Sequence, residues 1–320
     1  MEPMHRYTSL RRDLLGLDEM LPSVLYAPLV EDMDRSYTYE EACDIVLEAL
    51  VPLGEEYLQI LRRAFDERWV DVYPTPGKRS GAYSICGPGM HPYVLLNFDG
   101  TLNDVFTLAH EMGHAVNAYL TNNAQPACYC DNPTFVAEVA STCNEALLTQ
   151  HLLATAADER EHAYILNHHL ESFRSTLLRQ CMFAEFERDL NEIVARGEGV
   201  TADALTEDYR RLNEEYYGPA LTVDDLISVE WARIPHLYYD FYVYQYATGF
   251  AAAIALSQRI LAEGEPAVAD YLGFLAGGSS KSPIDLLRDA GVDMTTTAPI
   301  EKALAEFSGL VDEFAAMMGA

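Results

Sequence analysis

The chain has 320 residues and carries 50 acidic against 21 basic residues, which gives a formal net charge of −29. This charge argues against nucleic acid and anionic membrane surfaces as partners. No run approaches the roughly 20 apolar residues that span a bilayer, and residues 1–17 lack the apolar core of a signal peptide. The six cysteines lack paired metal-finger spacing. These features predict a cytoplasmic protein.

Apolar periodicity predicts a mainly helical chain with one β-hairpin before residue 100. The predicted helices cover 39–68 (interrupted at 52–54), 106–116, 133–148, 156–195, 202–217, 223–232, 268–275, 283–290 and 300–318. The hairpin covers 80–98, where strand-like residues flank a Gly-Pro-Gly break at 87–89. Because no repeat or linker divides the chain, we predict a single domain over residues 1–320.

The helix at 106–116 contains the sequence H-E-M-G-H at positions 110–114. Residues i and i+4 lie one above the other on a helix, so His110 and His114 point at one spot, where two imidazole nitrogens can bind zinc. Glu111 lies beside that spot and is placed to take a proton from water. A surface helix with two ordinary histidines is the alternative, but the flanking residues are apolar and buried polar groups need partners.

Glu138 is the candidate for a third ligand. It lies in the helix at 133–148 among small and apolar residues, where an inward-facing carboxylate needs a cation. Residues 121–132 are long enough for the chain to reverse and lay this helix against the first. Glu145 lies seven residues further on the same face. It either accepts a hydrogen bond from the outer nitrogen of a ligand histidine or is a solvated charge.

With these residues in place, the chain resembles the M3 family of zinc oligopeptidases, and most of all its oligoendopeptidase F branch. The matching stretches are GKRSGAYS at 77–84, HPYVLLNF at 91–98, FTLAHEMGHAVNAY at 106–119, FVAEVASTCNEALL at 135–148, RQCMFAEFE at 179–187 and PHLYYDFYVYQYATGF at 235–250. The resemblance implies a zincin-like helical catalytic domain that cleaves short peptides at internal bonds. It implies one zinc per chain, bound by His110, His114 and Glu138, with Glu111 as the base.

Two features depart from the family pattern. Asn117 stands where this branch often has another histidine, which is not a ligand. Family members also carry a long helical N-terminal region, whereas here the zinc motif comes at residue 110. The chain therefore resembles the catalytic C-terminal half, and we expect a homo-oligomer or a companion N-terminal polypeptide as a partner besides short peptides.

The tyrosine-rich segment at 231–250 is a second chemical constellation. If it is helical, His236 and Tyr244 share one face, and Tyr242 lies on roughly the opposite side. Peptide hydrolysis passes through an oxyanion that a tyrosine hydroxyl or an imidazole can stabilise, and the family uses residues of this region in that way. We predict His236 and Tyr244 in this role, with Tyr242 next. An aromatic core stripe is the alternative for most of the tyrosines.

The predicted hairpin offers a place for an extended substrate. An exposed strand edge can pair with a peptide through main-chain hydrogen bonds, and the resemblance supports this use for Gly81, Ala82 and Tyr83. Tyr242 is a further candidate for substrate binding. The alternative is a hairpin with a structural role alone.

These observations predict a zinc metalloendopeptidase that acts on short peptides. One alternative is a catalytically incomplete zinc-binding half that needs a second polypeptide or is inactive alone. A weaker one is a zinc hydrolase with another substrate, because the motif determines the water chemistry and not the substrate.

Overall fold

A computed structural model describes residues 1–31 and 35–319. Among these residues it has a three-stranded sheet and the following helices: α1 (Glu2–Leu14), α2 (Tyr39–Ala49), α3 (Gly54–Asp66), α4 (Leu102–Ala124), α5 (Thr134–Thr155), α6 (Glu159–Ser172), α7 (Arg179–Ala195), α8 (Ala202–Tyr217), α9 (Asp225–Ser228), α10 (Tyr244–Glu263), α11 (Glu265–Leu275), α12 (Pro283–Asp289) and α13 (Ala298–Met318). The prediction of a mainly helical fold with one hairpin is confirmed. None of the helices in the described ranges is long and apolar enough to cross a bilayer.

The chain divides into two compact units. The first comprises Met1–Asp32, Ala157–Thr248 and Leu304–Ala320, and the second comprises Met33–Ala156 and Gly249–Ala303. A single domain over 1–320 stays a prediction, and its residues 32–34 and 320 lie outside the described part of the chain.

Helices α4 and α5 pack against each other in the second unit, as predicted for the two helices around the zinc motif. The hydroxyl of Thr101 accepts the Asp104 N–H, and the Asp104 carboxylate accepts the Thr101 N–H, so a capping box starts α4. A Cβ placed on Gly113 would lie 2.7 Å from both the Ala140 carbonyl oxygen and the Ser141 Cα. The two helix backbones therefore approach more closely than any side chain at position 113 would allow.

A buried amide bridges three helices of the second unit. Asn144 on α5 donates from Nδ2 to the Ala109 carbonyl at 3.0 Å, and its Oδ1 accepts the Tyr57 hydroxyl of α3 at 2.8 Å. Asn144 is fully buried, so losing either partner would leave a polar group without water. These bonds hold α5 in register against the residue that precedes His110.

The sheet has the order β1-β3-β2 and contains the predicted hairpin. Strands β2 (Tyr83–Ile85) and β3 (Tyr93–Leu95) are antiparallel, with Ser84 opposite Val94. Strand β1 (Val70–Asp71) pairs in parallel with β3 and was not predicted, because two residues carry no readable alternation. Among the described residues, β2 has a strand partner on one edge.

The first unit is built from α1, α6 to α9 and most of α13. Phe307 of α13 stacks on Phe173 at 5.4 Å between ring centroids and meets the edge of Tyr7 on α1 at 5.8 Å. Helix α1 was not predicted. The long helix predicted over 156–195 begins at Glu159 and passes through a π-helical turn at Phe173–Leu178. The chain stays helical through such a turn, but the side chains after it are rotated about the helix axis.

The tyrosine-rich segment is not helical throughout, so the condition under which His236 and Tyr244 would share a face is not met. A 3₁₀ turn covers Pro235–Tyr238, and α10 begins only at Tyr244. Between them Asp240 and Phe241 have φ angles of 51° and 57°, in the left-handed region that a right-handed helix excludes. The helix predicted over 223–232 is likewise reduced to α9 and a 3₁₀ turn at Glu230–Arg233.

Replacing Gly113 by alanine should destabilise the protein. The added methyl group would force α4 and α5 apart, at about 1–3 kcal/mol for overpacking. This should exceed the gain of about 1 kcal/mol in helix propensity. Urea denaturation followed by circular dichroism measures the change. Gly273→Ala in α11 is the matched control, because a Cβ there meets no atom within 4 Å. Equal effects of the two substitutions would contradict the packing argument.

Candidate metal centre

The two motif histidines and Glu138 converge on one point in the second unit. Nε2 of His114 lies 3.2 Å from Nε2 of His110. The Oε2 atom of Glu138 lies 3.4 Å from the His110 nitrogen and 3.3 Å from the His114 nitrogen. Tetrahedral zinc with bonds of about 2.0–2.1 Å holds its ligand atoms about 3.4 Å apart. The three donors therefore fit a zinc ion with a fourth position open, and their ligand atoms form a group that could hold a metal.

The same three residues form a charged cluster. Burial disfavours protonated His110, but hydrogen bonds to Glu138 and Glu145 outweigh burial and raise its pKa to about 10. Burial also disfavours ionised Glu138, but hydrogen bonds from His110 and His114 keep its pKa well below the usual range. The carboxylate thus stays ionised beside a histidine that binds a proton tightly, and a metal ion that displaces this proton would supply the positive charge in its place.

Two neighbours on α5 orient the ligand side chains. Glu145 accepts a hydrogen bond from Nδ1 of His110 at 2.5 Å, so it is not a free solvated charge. This bond turns Nε2 of His110 toward Glu138. Ser141 donates from its hydroxyl to the Glu138 carboxylate at 3.0 Å. Sequence analysis missed Ser141, although its position three residues after Glu138 on a helix is a usable signal.

Glu111 is the buried acid of the centre. It is 6% exposed, and its Oε2 atom has no hydrogen-bond partner within the described part of the chain. Burial raises the pKa of Glu111, and the neighbouring charges of His110 and His114 oppose that shift. A buried carboxylate oxygen without a partner is costly, so this atom is available to a water or substrate atom that enters the site.

A cavity of about 410 Å³ opens beside these residues and connects them with the hairpin. It is lined by Ala82, Tyr83, Ser84, Cys86, His110, Glu111, His114, Asn117, Ala118, Asn132, Ala137 and Glu138. The predicted substrate residues Ala82 and Tyr83 therefore share a cavity with the candidate metal ligands. Gly81 does not line this cavity, and its carbonyl accepts a hydrogen bond from Asn97 at 2.8 Å.

Two asparagines form the wall of this cavity and were not predicted as site residues. Asn132 donates to the Asn117 side-chain oxygen at 2.8 Å, and Asn117 donates to the Leu275 carbonyl at 2.7 Å. Asn117 thus fastens α4 to both the α4–α5 loop and the end of α11. Asn117 is buried, so its uncharged amide needs these hydrogen-bond partners inside the protein.

The second predicted constellation lies in the first unit, where His236 is packed among tyrosines. Its ring stacks on Tyr242, with centroids 5.8 Å apart and an interplanar angle of 19°. Tyr239 and Tyr246 present edges to the same imidazole. The hydroxyls of Tyr242 and Tyr246 are hydrogen-bonded at 3.2 Å.

The reason for choosing Tyr244 is wrong. Tyr244 was predicted because one helix would place it on the His236 face, but the left-handed turn at Asp240 and Phe241 interrupts that helix. The turn brings Tyr242 onto His236 instead. The role of Tyr244 itself stays a prediction.

Known proteins share both the sequence and the fold. The model of Peptidase family M3 matches residues 18–306. Oligopeptidase PepF of Bacillus subtilis (strain 168) is 52% identical over 310 residues, covering 97% of this chain and 46% of its own length. Among solved structures, a candidate peptidase from Chlamydophila abortus aligns with TM-score 0.91 at 40% identity, over 99% of this chain and 53% of that one. Oligoendopeptidase F from Enterococcus faecium aligns with TM-score 0.78 at 37% identity, over 99% and 50%.

The chain spans about half the length of the relatives it matches. The matched half contains the H-E-M-G-H motif, the Glu138 helix and the tyrosine-rich segment. The predicted resemblance is confirmed by a family match that covers nearly all of the chain, and the chain belongs to Peptidase family M3.

Proposed function

We propose that this chain carries the catalytic centre of a zinc-dependent endopeptidase that hydrolyses internal bonds of short peptides. The observation that carries the proposal is the triangle of His110, His114 and Glu138 donors beside the unpartnered, buried oxygen of Glu111. Three ligands and an adjacent general base are the components that a hydrolytic zinc site requires. The relatives named as oligopeptidases and oligoendopeptidases support peptides as the substrate class.

The residues divide the work of hydrolysis between them. His110, His114 and Glu138 would hold the zinc ion, which when bound supplies a Lewis acid that polarises the peptide carbonyl and activates water. Glu111 takes the proton from the attacking water, since its Oε2 has no hydrogen-bond partner among the described residues, and later delivers that proton to the leaving amine. Its raised pKa favours the first of these steps, because a carboxylate whose pKa lies nearer neutrality is a stronger base toward the attacking water.

We propose that the peptide binds along the free edge of β2. Strand β2 has one strand partner among the described residues, and Ala82, Tyr83 and Ser84 line the cavity that reaches the metal ligands. A peptide added along this edge gains main-chain hydrogen bonds that do not depend on its side chains. This mode suits an enzyme that accepts many short sequences.

We propose that His236 and Tyr242 supply the donors that stabilise the oxyanion. Their stacked rings hold an imidazole and a phenol in one fixed arrangement, and the Tyr246 hydroxyl orients the Tyr242 hydroxyl. Preorganised donors of this kind act without reorganisation cost when charge develops. Tyr242 replaces Tyr244 as the favoured tyrosine for this geometric reason.

Glu111→Gln should leave metal binding intact and lower kcat by roughly 10²–10⁴-fold, because the amide cannot take a proton. A pool of short peptides incubated with the purified chain and analysed by mass spectrometry measures cleavage, and a zinc chelator provides the second arm. Cleavage lost in both arms supports a self-sufficient zinc peptidase. Turnover that persists in Glu111→Gln rules out the proposed base. No cleavage by the parent chain with one zinc bound would favour the alternative, a zinc-binding half that needs a second polypeptide or is inactive alone.

Loss of the Glu145 carboxylate should weaken metal binding. Glu145→Ala removes the acceptor for the outer nitrogen of His110 and should reduce zinc affinity by about 10–100-fold. Glu145→Gln retains an acceptor oxygen and should lose less. Competition against a chromogenic chelator measures the affinity. Gln150→Ala, at an exposed position of the same helix, is the control and should bind zinc as the parent does.

Tyr242→Phe and His236→Ala should each lower kcat by roughly 10²–10³-fold while zinc content stays unchanged, since each removes an oxyanion donor. Tyr244→Phe removes a hydroxyl two residues away and should leave kcat near the parent value. Steady-state kinetics on a fluorogenic peptide separates the three variants. A larger loss in Tyr244→Phe than in Tyr242→Phe would restore Tyr244 as the donor.

A further inference from the structure

The turn between the 3₁₀ segment and α10 is strained. Asp240 and Phe241 adopt φ angles of 51° and 57° in succession. A left-handed backbone is unfavourable for residues other than glycine, because the Cβ atom approaches the following carbonyl oxygen. Aspartate tolerates this region because its side chain can bond locally, but phenylalanine has no such means. A turn of this kind persists only where surrounding groups hold it.

Glu187 is the group that contacts this turn. It lies on α7, 2% exposed, and its Oε1 accepts the Phe241 N–H at 2.6 Å. Its Oε2 is buried and has no hydrogen-bond partner in the part of the chain that the structure describes. Burial raises the pKa of Glu187, and the Phe241 N–H opposes the shift. Among the described residues, this carboxylate makes one hydrogen bond, to the amide of the strained turn. Burying a carboxylate costs free energy, so its position is better explained by that amide than by the stability of α7.

The turn determines which aromatic rings meet. His236 comes before it and Tyr242 after it, and their rings stack because the chain reverses between them. With Asp240 and Phe241 in a helical or extended conformation, Tyr242 would leave the His236 ring. The Phe241 carbonyl is bonded more loosely, at 3.4 Å from Nε2 of Gln245. The short Glu187 bond is therefore the principal restraint on the turn.

We propose that Glu187 is a positioning residue: its carboxylate clamps the Asp240–Phe241 turn and so holds His236 and Tyr242 in their stacked arrangement. The catalytic part of this proposal rests on the proposed function, in which that pair stabilises the oxyanion. The clamp itself is a conformational claim and is tested without peptidase activity.

The kinetic test compares Glu187→Leu with Glu187→Gln. Leucine removes the acceptor, whereas glutamine keeps an oxygen in the same place for the Phe241 N–H. Glu187→Leu should lower kcat by roughly 10–100-fold, the scale of an ångström-level misplacement, with little change in KM or zinc content. Glu187→Gln should stay near the parent. A fall of the same size in Glu187→Gln would overturn the proposal.

A rescue variant separates positioning from general stability. Glycine adopts positive φ without strain, so Phe241→Gly in the Glu187→Leu background should recover most of the lost kcat. Glu161→Leu is the matched control, because Glu161 is another buried acid of the same unit whose carboxylate accepts a backbone N–H, that of Ala157 at 2.7 Å. It should lower thermal stability and leave kcat unchanged. An equal loss of kcat in Glu161→Leu, or the absence of rescue, would show that Glu187 serves stability alone.

Limited proteolysis tests directly whether the turn keeps its conformation. Tyr238 and Tyr239 are exposed chymotrypsin sites next to it. In a Glu111→Gln background, cleavage there should accelerate in Glu187→Leu and stay slow in Glu187→Gln and Glu161→Leu. Unchanged cleavage in Glu187→Leu would refute the clamp. Accelerated cleavage together with a fully active Tyr242→Phe would uphold the clamp and refute the oxyanion role, so the two failures remain distinguishable.

Discussion

The close approach of α4 and α5 is the constraint on which the candidate metal centre depends. At Gly113 the two backbones are nearer than a Cβ permits, and this distance brings the Glu138 carboxylate within 3.4 Å of both histidine nitrogens. A side chain at position 113 would separate the helices and open the donor triangle. The Asn144 bridge to Ala109 then sets how far α5 is displaced along α4, so spacing and register have separate causes.

The candidate metal centre places several charged side chains on the inward faces of α4 and α5, which are otherwise mostly apolar. Glu111, Glu138 and Glu145 surround two histidines, on helices whose other inward residues are mostly alanine, valine and leucine. Such an arrangement costs folding free energy unless a cation compensates the carboxylates. Ser141 donates to the Glu138 carboxylate, and the nearby amides of Asn117 and Asn132 bond each other and the Leu275 carbonyl. Charged groups clustered in this way at a cost in stability are typical of functional sites, which agrees with the proposed metal centre.

The sequence predicts the part of the site that follows from helical geometry. His110 and His114 are four residues apart on one helix and Glu138 and Glu145 seven apart on another, so their faces can be read without a structure. The loop length then indicates that the helices meet. The conformation of the segment at 231–250 could not be predicted in this way. Its turn depends on a contact with Glu187, more than fifty residues earlier in the chain. Strand β1 was also not predicted, because a tertiary contact forms it: its two residues are a strand only since β3 lies beside them.

The two constellations are therefore held by different physics. The candidate metal ligands lie on regular helices, where the repeating backbone hydrogen bonds determine the direction of each side chain. The His236–Tyr242 pair sits across a turn whose own backbone preferences oppose it, so its geometry persists through one tertiary hydrogen bond and the packing of rings. Rigid ligands suit an ion that demands fixed distances. The stacked arrangement of His236 and Tyr242 can be lost without unfolding the helices around it, because it depends on a single clamp. The candidate metal ligands can lose their arrangement only with the helices that carry them.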